Sequence, residues 1–205
     1  IRIKGVDKLK GVRHQVIPDQ IEAGTYMVAS VITKSKIFVD NVLPTHLRPL
    51  ISKLEEAGVI ITPEGNGLYV DARNGYKGVD ITTLPYPGFP TDMQAQFMAM
   101  LTVCEGVHRI RETIFENRFM YVNELMRMGA KINIDGSSAM VSGVNHLEGA
   151  QVKSTDLRAG AALILAGLVA KGKTEVFEIH HVDRGFVSIE KKLQSIGANI
   201  KRVQG

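Results

Sequence analysis

A chain of 205 residues, 44% hydrophobic and 22% charged, has the make-up of a globular protein with a core of its own, which excludes disorder and fibrous repeats. Its single cysteine, Cys104, excludes a disulfide framework and suits a reducing, cytoplasmic compartment. The net charge of +4 is dispersed among acidic neighbours, as in Glu190-Lys191-Lys192, with no interleaved aromatics, so it reads as a solvated face. No nucleic-acid partner is expected.

The opening residues, from Ile1 to Gln15, read as strand, and Val16 to Pro18 as a crossing into the next element. Because the first residue already stands within that strand, the chain looks like part of a longer polypeptide. Pro18-Asp19-Gln20-Ile21-Glu22 then opens a helix rich in small apolar residues, including Ala23, Gly24, Val28 and Ala29. A strand at Lys36-Ile37-Phe38-Val39, a second helix over 47–54 and the stop Ala57-Gly58-Val59-Ile60 follow.

The same order returns twice. Thr91-Asp92-Met93-Gln94 leads through Arg109-Ile110 to a second helix ending at Gly129-Ala130, and Thr155-Asp156-Leu157-Arg158 leads to Ile196-Gly197-Ala198-Asn199. Gly58, Gly129 and Gly197 thus recur about every 70 residues, a spacing that fits a βαβα-containing supersecondary unit and not a solenoid repeat. The units are expected at about 18–85, 86–148 and 149–205. Each of those glycines supplies the left-handed residue that ends the second helix. Hairpin turns are expected at Pro63-Glu64-Gly65-Asn66-Gly67 and at Asp135-Gly136.

The first helix of each unit is apolar all round, most plainly over 159–170, and such a helix has to be buried on every side. That run is shorter than the roughly 18 residues of a membrane span, so no membrane partner is expected either. The second helix is amphipathic, as in Val187-Ser188-Ile189-Glu190, and the strands at 37–39, 131–134, 176–177 and 198–200 alternate apolar with polar. Cys104 is placed with the apolar helical run 97–103 as a core thiol. The fold expected is α/β: three units around a threefold pseudo-axis, helices inside and sheets outside. If the three inner helices start on one face, their free N–H groups converge there and favour an anion. Asp19, Asp92 and Asp156 stand at those starts, where capping is their ordinary role.

Five stretches carry a resemblance. Tyr86-Pro87-Gly88-Phe89-Pro90-Thr91-Asp92-Met93-Gln94-Ala95-Gln96, Glu112-Thr113-Ile114-Phe115-Glu116-Asn117-Arg118-Phe119, Gly149-Ala150-Gln151-Val152, Thr155-Asp156-Leu157-Arg158-Ala159 and His181-Val182-Asp183-Arg184-Gly185 are similar to the UDP-N-acetylglucosamine 1-carboxyvinyltransferase branch of the enolpyruvyl transferase family. The resemblance covers nearly the whole chain but only the C-terminal half of such an enzyme. It implies an inside-out α/β barrel, with 1–17 as terminal strands and hinge of a missing N-terminal domain and 18–205 as the C-terminal domain. It also implies that the polypeptide's own opening residues complete this second domain.

The reaction implied is transfer of the enolpyruvyl group of phosphoenolpyruvate to the 3′-hydroxyl of UDP-N-acetylglucosamine, with loss of phosphate. Asp92 resembles the residue that contacts that hydroxyl and removes its proton, and Asp156 a second essential acid. Arg184 resembles the arginine that grips phosphoenolpyruvate, with Arg158 assisting, since a guanidinium holds a carboxylate or phosphate through two parallel bonds. Ile114 resembles a backbone contact to the sugar nucleotide. Arg118 and Glu22 read either as structural or as interdomain ion pairs. Gln20 stands where many family members have an arginine that reaches the sugar nucleotide. The family's lysine and the loop residue that supplies the general acid lie in the missing half, so this chain alone is expected to turn nothing over. The six histidines show no ligand spacing, and neither metal nor cofactor is expected. The other reading is a noncatalytic ligand- or RNA-binding module on the same repeat.

Overall fold

In the computed structural model, which describes residues 1–203, Asp19 caps the first helix, α1 (Gln20–Ile32). Its Oδ1 accepts from the Ile21 N–H at 2.7 Å and from that of Glu22 at 3.2 Å, satisfying two donors the helix cannot use itself. Asp156 does the same for α5 (Leu157–Gly167), accepting from Arg158 and Ala159. The third inner helix, α3 (Gln94–Thr102), is buried along its whole length and begins differently, after a 3₁₀ turn over Thr91–Met93.

These three helices pack on one another at the centre. Gly24 and Gly160 let outer elements come close to α1 and α5: a Cβ on Gly24 would stand 2.6 Å from Leu50 Cδ2, and one on Gly160 2.3 Å from Val182 Cγ2. The Gln96 amide bonds Thr25 Oγ1 at 3.2 Å, tying α3 to α1.

The sheets lie outside. Strands β1 (Lys36–Val39), β2 (Ile60–Glu64) and β3 (Gly67–Asp71) form an antiparallel sheet in the order β1-β3-β2, with Val70 opposite both Ile37 and Ile61. Helix α2 (Arg48–Glu56) buries only Leu50 and Leu54, as its amphipathic pattern requires. The second sheet, in the order β4-β5-β7-β6, comprises β4 (Ile81–Thr82), β5 (Val107–Arg111), β6 (Lys131–Asp135) and β7 (Ser138–Ser142). Its inward residues Ile110, Ala139 and Val141 are buried while Met140 faces out. Helix α4 (Val122–Arg127) stands between β5 and β6. The third unit has β8 (Gln151–Lys153) parallel to β9 (Glu175–Phe177), then α6 (His180–Asp183) and α7 (Ile189–Ser195). Gly58, Gly129 and Gly197, at φ +92°, +89° and +101°, end α2, α4 and α7 as expected. The two hairpins also form, with Gly65 and Gly136 at positive φ in their turns.

Three expectations need correction. Residues 198–200 form no strand; instead the Ala198 N–H donates to Leu193 O, and Ile200 O accepts from the Gln194 amide. In the first two units the strand after the second helix pairs with a central strand, β3 or β7, and no counterpart of that strand exists among the described residues of the third. A lone strand has nothing to satisfy its backbone. Residues 1–19 likewise carry no strand, and 1–17 are exposed, among them Ile1, Ile3, Val6, Leu9 and Val12. Cys104, although buried, lies past the end of α3 and not within a helix. Positions 204–205, the end of the expected third unit, lie outside the described residues. Among the described residues no helix is long and apolar enough to cross a membrane.

Candidate active site at the converging helix starts

Because Asp92 sits in the 3₁₀ turn and not at a cap position, its carboxylate is free to bond side chains. Oδ1 accepts from Arg118 Nη2 and Oδ2 from Arg158 Nη2, each at 3.0 Å. Arg158 comes from the first turn of α5, and Arg118 from the loop after β5, where its guanidinium also lies 5.2 Å over the Phe115 ring. The two arginine side chains are 19% and 15% exposed and Asp92 is 39% exposed, so the carboxylate is reachable from solvent while its partners are largely covered.

Asp156 flanks this group. Its Oδ1 is used as the cap of α5, at 2.8 Å from the Arg158 N–H, leaving Oδ2 facing Thr155 Oγ1. The buried Tyr121 hydroxyl, bonded to Gln94 Oε1 at 2.9 Å, stands in the fields of both Arg118 and Asp156. Burial above all holds that phenol well above its ordinary value.

Arg184 ends α6 with its side chain exposed, and among the described residues it enters no salt bridge. Its neighbour Asp183 is taken instead by Arg202 at both oxygens. A Cβ on the adjacent Gly185 would lie 3.0 Å from Leu157 Cδ1, so the Arg184 backbone passes beside the start of α5. Its side chain makes no hydrogen bond to Asp92. Ile114 donates its N–H to Glu112 Oε1 at 2.8 Å, which leaves the carbonyl as the backbone group it can offer. Gln20 lines a cavity of about 80 Å³ with Tyr86, Pro90 and Met93, next to the Asp92 turn. Of the two residues left open by sequence, Arg118 joins the site through Asp92, while Glu22 pairs with Lys192 of α7.

Sequence reasoning assigned no role to Glu112. It is 3% exposed and receives four hydrogen bonds, from the Thr83 and Thr91 hydroxyls and the Ile114 and Phe115 N–H groups. The only signal was its place at the head of the Glu112-Thr113-Ile114-Phe115 stretch.

Inner helices wrapped by outward sheets, with the starts of α3 and α5 joined through one carboxylate that two guanidiniums hold, define an enolpyruvyl transferase domain. The enolpyruvyl transferase NikO from Streptomyces tendae matches this structure with a TM-score of 0.81 at 28% identity, over 91% of this chain and 44% of that one. EPSP synthase from Acinetobacter baumannii shares the fold, with a TM-score of 0.70 at 16% identity over 93% of this chain and 45% of that one. The chain belongs to the EPSP synthase (3-phosphoshikimate 1-carboxyvinyltransferase) family, which it matches over residues 1–193. It is 61% identical to UDP-N-acetylglucosamine 1-carboxyvinyltransferase 1 of Caldanaerobacter subterraneus over 98% of its own length, and 57% identical to the UDP-N-acetylglucosamine 1-carboxyvinyltransferase of Halothermothrix orenii over 100%. It spans 49% of each of those relatives, about half their length.

Proposed function

We propose that this chain is one half of an enzyme that transfers the enolpyruvyl group of phosphoenolpyruvate to the 3′-hydroxyl of UDP-N-acetylglucosamine, releasing phosphate, at the first committed step of peptidoglycan synthesis. The observation that carries this reading is the Asp92 carboxylate held at 3.0 Å by Arg118 and Arg158, in a chain 61% identical to a relative of that name. A carboxylate offers about four lone-pair positions, and these two bonds use two of them. A substrate hydroxyl can therefore reach Asp92 without displacing either arginine.

In the addition step the sugar oxygen bonds to C2 of phosphoenolpyruvate as its proton leaves for Asp92, and C3 gains a proton from an acid. In the elimination step the C2–O bond to phosphate breaks and C3 loses a proton, restoring the alkene. Proximity does much of this work, because both reactants are anions that have to be held together. Arg184, unpaired among the described residues, is assigned to the phosphate or carboxylate of phosphoenolpyruvate, with Arg158 assisting. Asp156 is assigned as the second acid through Oδ2, and the Ile114 carbonyl as the backbone contact to the sugar nucleotide.

The general acid is assigned to a separate N-terminal domain. The absence, among the described residues, of a central strand from the third sheet and the exposed apolar residues of 1–17 support such a partner. A cytoplasmic protein without membrane or nucleic-acid partners fits a lone thiol and dispersed charge.

Phosphate release from phosphoenolpyruvate and UDP-N-acetylglucosamine is the test. The two-domain protein should release it, and Asp92→Asn should lower kcat by about a hundred- to ten-thousand-fold while the circular dichroism spectrum is kept. The 205-residue chain alone should release none until the other half is added. Salt-sensitive RNA binding indifferent to Asp92, with no phosphate release by the whole protein, would replace this reading by a binding module.

A further inference from the structure

Glu112 is a carboxylate only 3% exposed, and among the described residues no basic side chain bonds it. Burial of a charge is tolerated only where its lone pairs are filled. Here three separate pieces of chain fill them. Oε1 accepts from the Thr83 hydroxyl at 2.8 Å, the Ile114 N–H at 2.8 Å and the Phe115 N–H at 3.1 Å. Oε2 accepts from the Thr91 hydroxyl at 2.9 Å. A second layer braces the first, since the Thr113 N–H donates to Thr83 Oγ1 and the Thr113 hydroxyl to Thr83 O.

The two oxygens therefore hold opposite sides of the site. Thr91 immediately precedes Asp92, so the Oε2 bond fixes the turn that presents the proton acceptor. Ile114 and Phe115 begin the loop that carries Arg118, whose guanidinium rests on the Phe115 ring and bonds Asp92. The Asp92–Arg118 distance is thus spanned twice, once directly at 3.0 Å and once beneath, through Glu112.

We infer that Glu112 is a positioning residue for the transfer, spacing the Asp92 turn from the loop of Ile114 and Arg118 through its two carboxylate oxygens. The inference rests on the function proposed above. Glu112 reaches no substrate from its buried place; it acts through Thr91 on Asp92 and through two N–H groups on the Ile114 backbone.

The test uses the whole two-domain protein and phosphate release from phosphoenolpyruvate with UDP-N-acetylglucosamine. Thr91→Val cuts the Oε2 bond alone, so kcat should fall about tenfold with the KM for phosphoenolpyruvate within about twofold, while the circular dichroism spectrum is kept and the thermal midpoint drops as loss of a donor to a buried carboxylate requires. Glu112→Gln keeps an oxygen for the Oε1 donors and an N–H for Thr91, whose hydroxyl can accept as well as donate, so kcat should stay within about threefold of wild type. Glu112→Ala should lose at least as much kcat as Thr91→Val, and combining the two should add nothing. Wild-type kcat in Thr91→Val, or multiplying losses in the double variant, overturns the inference. So does a loss in Glu112→Gln as deep as that in Glu112→Ala. Should Glu112→Ala fail to fold, the Thr91→Val and Glu112→Gln pair decides alone. A wild-type protein that releases no phosphate overturns the proposed function, and this inference with it; an active wild type with an unaffected Thr91→Val overturns the inference only.

Discussion

Arg158 Nη2 stands 3.0 Å from Asp92 Oδ2 although 66 residues of chain separate them. The bond joins the start of the second unit's inner helix to the start of the third's, and Arg118 closes the other side of the same carboxylate. The pseudo-symmetry of the fold makes this possible, but a break in that symmetry supplies the acceptor. Asp19 and Asp156 each spend one carboxylate oxygen, Oδ1, on a helix cap, whereas the 3₁₀ turn moves Asp92 off the cap position and leaves both of its oxygens to side chains.

The charges around Asp92 are interdependent. Asp92→Asn leaves two largely covered guanidiniums facing each other without the carboxylate that joins them, and should destabilise by about 1–2 kcal/mol. Replacing one cation in the same protein, as Asp92→Asn with Arg158→Met, should recover part of that loss. Urea midpoints of the whole protein measure both. An additive effect of the two substitutions would show that Arg158 and Asp92 do not sense each other.

Much of the architecture is written locally. The glycines at 58, 129 and 197 need positive φ, and the turns at 65–66 and 136–137 close hairpins, so helix ends and strand pairs are legible in short windows. The all-apolar inner helices announce their burial in the same way. The site is less legible because its bonds are long-range. Pro90-Thr91-Asp92 looks like an ordinary cap, and only the packing of α3 against α5 turns Asp92 toward Arg158. Glu112 escapes notice because a glutamate is ordinarily solvated, and nothing near it in sequence shows that Thr83 and Thr91 will close over it. The stretch 198–200 misleads in the opposite sense, having a strand's pattern without the neighbour a strand needs.

Gly160 sets how closely α6 approaches α5, and with it the path of Arg184. A methyl group there meets Val182 Cγ2 at 2.3 Å and Ser154 Oγ at 2.5 Å, so Gly160→Ala should destabilise by about 1–3 kcal/mol. Gly167→Ala, at the end of the same helix, meets Thr174 at 3.3 Å and should lie within about 1 kcal/mol of wild type. Thermal melts of the two variants side by side check the contrast, and equal midpoints would refute it.

Cys104 is 4% exposed and its thiol faces the Tyr76 carbonyl at 3.9 Å. Burial pushes the thiol above its ordinary value of 9.0, and the smaller effect of nearby Lys34 does not reverse this. Iodoacetamide at pH 8 should therefore label it slowly in the folded protein and rapidly in urea, by at least about a hundredfold in rate. Mass spectrometry of a tryptic peptide containing Cys104 reads the difference, and comparable rates in the two states would mean that the thiol is not shielded by the fold.

Arg202 ties the last described residues to α6 and α7, bonding both oxygens of Asp183 and Glu190 Oε2 at 3.1 Å. The Arg202 hydrogen bond lowers the Asp183 carboxyl from its ordinary 3.8. Burial raises that of Glu190, but its bond to Arg202, its own backbone bond and the Arg202 charge together bring it below its ordinary 4.5. A carboxyl depressed in the folded state stabilises above its unfolded pKa and stops doing so as pH falls through the folded one. Arg202→Ala should thus lower stability at pH 7, modestly because Asp183 is 43% exposed, and the difference from wild type should begin to shrink below pH 4.5, where Glu190 protonates in the unfolded chain, and shrink further below 3.8, where Asp183 does. The same substitution releases Asp183 beside Arg184, so on the role proposed for Arg184 the KM for phosphoenolpyruvate in the whole protein should rise severalfold at neutral pH. Urea midpoints from pH 3 to 7 and a phosphoenolpyruvate titration check the two effects; a stability gap that stays constant to pH 3 would show that these carboxylates are not what Arg202 stabilises.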